Sequence, residues 1–257
     1  MTTPPESFPP ARIIAHRGAS RVAPENTLAA LRAAAEAGAR AVEFDVSLLG
    51  DGTAVLHHDP TLERCTDASG PLSAIGIEDL ARLDAGSRFA PRFAGERVPT
   101  LRGALDALER LGLSANLEIK PHGQPVEPIV AAVAEALSAR PWTGPGVLVS
   151  SFDLGAVAAL RGHLPRQPVA ALYETPPAPV PEEIARLGAE AMHMDHRSLA
   201  PQHLEQAEES GIALRVYTVN DPAAFAPFRR AGLAGVITDD PAAFLADAGW
   251  AEWAAAA

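Results

Sequence analysis

The chain has 257 residues, a size that fits one enzyme-sized domain, and a barrel of about 250 residues is a common single-domain solution. Hydrophobic residues make up 47% and charged residues 21%, which excludes wholesale disorder and fibrous repeats. A net charge of −11 excludes a basic surface able to neutralise many phosphates, so nucleic acid is not an expected partner; a small anionic ligand would need local positive charge or a metal.

Residues 1–10 are rich in Pro and Thr and read as a disordered tail before a single domain over 11–257. They lack a basic segment followed by an apolar one, and no run of about 18 apolar residues occurs, so neither a secretory signal nor stable membrane insertion is expected. The single cysteine, Cys65, cannot form an internal disulfide, and a cytoplasmic setting follows as the expectation.

From residue 12 onward, short Val/Ile/Leu-rich runs alternate with stretches of helical period. The strand candidates are Arg12–His16, Ala41–Val46, Ala115–Lys120, Val147–Ser151, Pro168–Tyr173, Ala191–Asp195, Leu214–Val219 and Gly235–Thr238. The first helix is expected to start at an Asn26 N-cap and stop at Gly38. Others are expected from about Thr100 to Leu111, ending at Gly112, over Val126–Ser138, and in the Ala-rich tail from Ala246. Eight strands each followed by a helix predict an α/β fold, a (β/α)8 TIM barrel. Residues 47–99 break the alternation with an extra strand candidate, Ala54–His58, and a short helix from about Ile77 to Asp84. They read as an insertion after the second barrel strand, on the rim where such barrels do chemistry.

Glu43 and Asp45 sit two apart in the otherwise apolar Ala41–Val46, so both side chains share a face. Two such anions repel, and a hard divalent cation satisfies them best. Glu118 and Lys120 repeat the pattern in the third strand, adding a third carboxylate and a cation suited to substrate negative charge. His16 and Arg17 end the first strand beside Gly18, an imidazole and a guanidinium at the barrel mouth. For His57 and His58 the hairpin decides. If Asp51-Gly52 is a two-residue loop, Gly50 pairs with Thr53 and Asp45 lies opposite His58, so His58 joins the carboxylates and His57 turns away. A three-residue loop would shift the register and reverse the choice. His122, His163, His193, His196 and His203 are read as non-catalytic.

With these residues in place, the chain resembles the glycerophosphodiester phosphodiesterase family. The resemblance is carried, in order, by Ala15-His-Arg-Gly18, Pro24-Glu-Asn-Thr27, Val42-Glu-Phe-Asp-Val46, Asp51-Gly52, His58-Asp-Pro-Thr-Leu62, Val98-Pro-Thr-Leu101, Leu117-Glu-Ile-Lys120, Ser150-Ser-Phe-Asp153, Tyr217-Thr-Val-Asn220 and Gly235-Val-Ile-Thr-Asp239. It implies metal-dependent hydrolysis of a small glycerophosphodiester to glycerol 3-phosphate and an alcohol. The implied catalytic pair is His16 and His58, and the implied metal ligands are Glu43, Asp45 and Glu118. Arg17 and Lys120 match phosphate-holding positions, and Asp59 would buttress His58. Tyr217 stands where many relatives carry Trp, beside the glycerol or the alcohol. Magnesium is the expected ion, with calcium accepting the same ligands. Two alternatives remain open: phospholipase-D-like action on lysophospholipids or sphingolipids, with Leu83, Phe89 and Phe93 as an apolar entrance, and a non-catalytic phosphate-ester binding protein.

Overall fold

The computed structural model describes residue 8 and residues 11–139, 143–176 and 180–256. Most of the expected disordered tail lies outside the described residues; Phe8 is buried, with the Arg215 guanidinium 5.0 Å from its ring centroid.

Eight strands run parallel: β1 (Ile13–His16), β2 (Ala41–Leu48), β4 (Ser114–Ile119), β5 (Val147–Ser151), β6 (Val169–Tyr173), β7 (Ala191–Asp195), β8 (Ala213–Tyr217) and β9 (Leu233–Thr238). β1 pairs with both β2 and β9, which closes the sheet into a barrel. β3 (Ala54–Leu56) adds an antiparallel strand outside the ring, paired to β2. The (β/α)8 barrel expected from the alternation is therefore the architecture observed. Helices include α1 (Leu28–Glu36), α2 (Ile77–Leu80), α3 (Leu101–Leu111), α4 (Val126–Ser138), α5 (Leu154–His163), α6 (Val180–Leu187) and α7 (Pro201–Ser210). After them come α8 (Pro222–Phe225), α9 (Pro241–Ala246) and α10 (Ala248–Ala255). Among the described residues, no helix is long and apolar enough to cross a membrane.

The period-2 rule sorts each strand. Phe44, Val42 and Val46 of β2 point outward into a core shared with Leu101, Leu105 and Leu108 of α3, whereas Glu43 and Asp45 point into the barrel. Gly112 ends α3 in the left-handed region (φ 67°), as expected of a C-terminal stop. The insertion has its own small core, including Leu49, Val55, Leu62, Leu72, Leu80 and Leu83.

Two local expectations fail for identifiable reasons. Thr27, not Asn26, caps α1: its hydroxyl accepts from Ala30 N, and Asn26 has a left-handed backbone (φ 57°) with its side chain turned to β2. The β2–β3 hairpin has a three-residue loop, with Leu49 N donating to Thr53 O and Val46 opposite Leu56. Gly50 leaves the ladder because its N–H donates instead to Ile75 O at 2.8 Å, and a Cβ there would lie 2.2 Å from Ser73 O. By strict alternation this register would send His57 inward. Instead β3 ends at Leu56 and the chain turns, so the period-2 rule no longer governs residues 57 and 58.

Candidate active site

β2 and β4 are neighbours, with Asp45 directly opposite Glu118. The two-residue spacing on each strand therefore brings Glu43, Asp45 and Glu118 together, and one carboxylate oxygen from each lies within 4.8 Å of the others. All three are buried. Two cations face them. Arg17 Nε lies 3.1 Å from Asp45 Oδ2, and Lys120 Nζ lies 2.5 Å from Glu118 Oε1 and 3.4 Å from Asp45 Oδ1.

Three anions against two cations leave an excess of negative charge in a low-dielectric setting, and the titration behaviour reflects it. Burial, then the charges of Asp45 and Glu118, push the Glu43 carboxyl well above its ordinary pKa. Burial and Asp45 push Glu118 up to about 7 despite Lys120. For Asp45 burial also acts upward, but Arg17, Lys120 and His58, with a hydrogen bond from Asn26, outweigh it and keep it ionised. Glu43 Oε1 is buried without a hydrogen-bond partner. An orphaned oxygen in an anionic, all-oxygen cluster fits a hard dication such as Mg²⁺ or Ca²⁺.

The histidines flank this cluster, and each carries a carboxylate on the same ring nitrogen. His16 Nδ1 lies 2.6 Å from Asp239 Oδ1, and His58 Nδ1 lies 2.6 Å from Asp59 Oδ1. An ionised carboxylate only accepts, so Nδ1 donates in both pairs and Nε2 is left as the free nitrogen. His16 Nε2 is 3.9 Å from Glu43 Oε2. Asp239 also accepts from Ser20 Oγ and Asn220 Nδ2; burial acts upward on its pKa, but the bond and charge of His16, with the Asn220 and Ser20 bonds, hold it down at about 2. For His58, burial is the largest influence and lowers its pKa, helped by Arg17 and Lys120 against the pull of Asp45 and Asp59. His57 is buried elsewhere, its Nε2 hydrogen-bonded to Thr61 O at 2.8 Å.

His16, Arg17, Glu43, His58, Glu118 and Lys120 line one cavity of about 580 Å³, together with Phe152, Leu172, Glu174, Asp195 and Tyr217. Lys120 Nζ sits 5.4 Å from the Phe152 ring centroid, and Tyr217 meets the same ring edge-on at 5.9 Å. The Tyr217 hydroxyl donates to Tyr173 O, so the tyrosine offers the cavity its ring rather than a free hydroxyl. His196 also lines the cavity, on the wall opposite the carboxylates, with Nδ1 3.1 Å from Tyr217 O. His193 faces the barrel interior and is fully buried. Leu83, Phe89 and Phe93 do not line the cavity: Leu83 belongs to the insertion core, and Phe93 packs beside Ala23 and α1.

Several supporting residues stand in the segments that carry the family resemblance, with no signal in the local pattern that marks their role. Asn26 Nδ2 donates to Asp45 Oδ2 at 2.8 Å and its Oδ1 accepts from Asp45 N at 3.1 Å. Glu25 accepts from Arg17 Nη1 at 2.7 Å. Among the described residues, the non-glycine ones with φ between 50° and 60°, Arg17, Asn26 and His122, all sit at this rim. Arg17 uses that conformation to donate its backbone N–H to Glu43 Oε2 at 3.0 Å. Beside it Gly18 (φ 80°) is obligatory, since a Cβ would lie 2.6 Å from the Ala30 backbone.

Known proteins share this arrangement of chain. A profile for the Glycerophosphoryl diester phosphodiesterase family matches residues 16–243. A glycerophosphodiester phosphodiesterase from Caldanaerobacter subterraneus subsp. tengcongensis is 32% identical over 233 residues, covering 89% of this chain and 94% of that protein. A phosphodiesterase from Oleispira antarctica, solved in complex with the product sn-glycerol-3-phosphate, is 32% identical and superimposes with a TM-score of 0.87, covering 90% of this chain and 94% of that one. A putative glycerophosphoryl diester phosphodiesterase from Silicibacter pomeroyi, 27% identical, gives 0.80 with 90% of each chain covered. The chain belongs to the glycerophosphoryl diester phosphodiesterase family.

Proposed function

We propose that this chain hydrolyses small glycerophosphodiesters to glycerol 3-phosphate and an alcohol, with a divalent metal, magnesium foremost, held by Glu43, Asp45 and Glu118. The observation that carries the reading is the pair of imidazoles, each braced on Nδ1 by a carboxylate, flanking the three-carboxylate cluster in one cavity. The product complex of the Oleispira antarctica relative supports the substrate class.

A phosphodiester resists hydrolysis because its charge repels nucleophiles and its leaving alkoxide is strongly basic. The metal, when bound, supplies Lewis-acid neutralisation of charge on the phosphoryl oxygens. Arg17 and Lys120 hold those oxygens from the protein side, and both keep their protons because the neighbouring carboxylates outweigh the effect of burial. His16 and His58 exchange protons at Nε2: one accepts from the nucleophile, the other donates to the departing alcohol oxygen. Such groups contribute about 10²–10⁴-fold each. Asp239 and Asp59 fix the ring orientation that leaves Nε2 free. Phe152 and Tyr217 form the apolar side of the cavity, against the carbon skeleton of glycerol or alcohol.

The test is chelation followed by metal add-back over a panel of glycerophosphodiesters, read as glycerol 3-phosphate release. Full turnover in excess chelator removes the metal from the scheme, and binding without product would favour a non-catalytic protein. Lysophosphatidylcholine in the panel tests the lipid-directed alternative. Phosphorus NMR of early turnover separates attack by water from attack by the glycerol hydroxyl, which would give a cyclic phosphate first.

A further inference from the structure

One guanidinium outside the cavity is bonded to both halves of the site. Arg64 stands in the insertion, eight residues beyond the end of β3, and its Nε and Nη2 donate to the two oxygens of Asp59 at 2.6 and 3.0 Å. The other side of the same fork reaches Glu25, Nη1 to Oε2 at 2.6 Å and Nη2 to Oε1 at 2.9 Å. Each carboxylate then meets one residue of the cavity. Asp59 Oδ1 accepts from His58 Nδ1, and Glu25 Oε1 accepts from Arg17 Nη1. Arg64, Glu25 and Asp59 do not themselves line the cavity.

We infer that Arg64 is a positioning residue that locks the His58 imidazole and the Arg17 guanidinium to each other through Asp59 and Glu25. The inference rests on the roles proposed above for His58 and Arg17. Stability does not account for the network, because the Arg64 side chain is 46% exposed and exposed ion pairs contribute little. What four converging bonds supply is direction. Two carboxylates left without Arg64 would repel one another, and Asp59 would be free to rotate away from Nδ1. A planar fork can hold both at once, whereas a lysine ammonium is a point charge that cannot pair two carboxylates bidentately. The other charged or titratable groups around His58 are Asp45, Arg17, Lys120 and His122, and none of them bonds to Asp59 or Arg64.

The experiment uses the full chain with Mg²⁺ and glycerophosphocholine, comparing Arg64→Lys, Arg64→Gln, Asp59→Asn and the Asp59→Asn/Arg64→Gln double variant. Steady-state kinetics are paired with ¹⁵N NMR of the histidine side chains, which reports the tautomer of His58 without turnover. Both Arg64 variants are expected to lose kcat by about 10- to 100-fold, the usual scale for a group that orients another. Arg64→Lys does so despite keeping the charge. The His58 Nδ1–H signature should shift towards a mixture of tautomers, and the double variant should lose less than the product of the two single losses, the part beyond Asp59→Asn coming from the Glu25–Arg17 branch. Wild-type kcat with an unchanged His58 spectrum in Arg64→Lys would overturn the inference, as would losses that add in the double variant. If Arg64→Gln fails to fold, Arg64→Lys alone decides by the same two readouts. Should His58→Ala retain turnover, the catalytic role of His58 falls; the His58 spectrum of Arg64→Lys still decides the clamp.

Discussion

The side-chain amide of Asn26 closes a two-bond ring with Asp45, donating to its carboxylate at 2.8 Å and accepting from its backbone N–H at 3.1 Å. That ring holds a buried carboxylate in one rotamer, and a left-handed backbone at residue 26 is needed to make it. Asn is one of the few side chains that tolerates such a conformation. Asn26→Ala loses both bonds and adds backbone strain, whereas Asn26→Gly relieves the strain and loses only the bonds. Both are expected to weaken Mg²⁺ binding by about 10- to 100-fold, measured by calorimetry, with Asn26→Gly the more thermally stable of the two.

Asp239→Asn should be nearly as damaging as loss of the imidazole it serves. An amide can present either an acceptor or a donor to His16 Nδ1, so the ring is no longer confined to the form with Nε2 free. We expect kcat to fall on the order of 10²-fold or more, with little change in melting temperature. A kcat within a few-fold of wild type would show that His16 needs no partner.

His57 and His58 separate chemistry from folding. His58→Ala is expected to remove about 10²–10⁴-fold of kcat and leave the fold intact. His57→Ala deletes a buried ring and its bond to Thr61 O, so it should cost about 1–3 kcal/mol in urea unfolding while the folded fraction keeps most of its turnover. Reversed kinetic outcomes would exchange the roles of the two residues.

The carboxylate cluster predicts an inverted pH dependence of stability in metal-free protein. Glu118 has a folded-state pKa of about 7, above its unfolded value, and Glu43 is raised in the same sense. Between the unfolded and folded values the native state binds more protons, so this contribution is fully present at low pH and fades as pH rises through about 7. Thermal melts in chelator should therefore show Glu43→Gln more stable than wild type at pH 8, with the difference shrinking towards pH 5. Added Mg²⁺ should reverse the order, because the wild type binds it more tightly and is stabilised by mass action.

Much of this was legible from residue spacing. The strand-helix alternation predicts the barrel, and the doublets Glu43/Asp45 and Glu118/Lys120 converge because strands β2 and β4 are neighbours in register. His58 lines the cavity and His57 does not, but the hairpin argument that favoured His58 does not hold. Gly50 bonds to the insertion instead of the ladder, and the chain turns just beyond Leu56. Asp239, Glu25 and Arg64 were not assigned roles because they act at a distance in the sequence: Asp239 is separated from His16 by 223 positions, and Arg64 from Glu25 by 39. No local periodicity encodes such pairs. Asn26 has a side chain suited to a helix cap, but its neighbour Thr27 caps α1, which frees the amide for Asp45.

The barrel closes where β1 meets β9, and the bond between His16 and Asp239 spans that seam. A nascent chain that has emerged only as far as β8 holds every carboxylate of the cluster but lacks the group that orients its first imidazole. On the role proposed for His16, hydrolytic competence is tied to completion of the ring, and turnover would then serve as a reporter of seam formation in refolding, truncation or circular-permutation experiments.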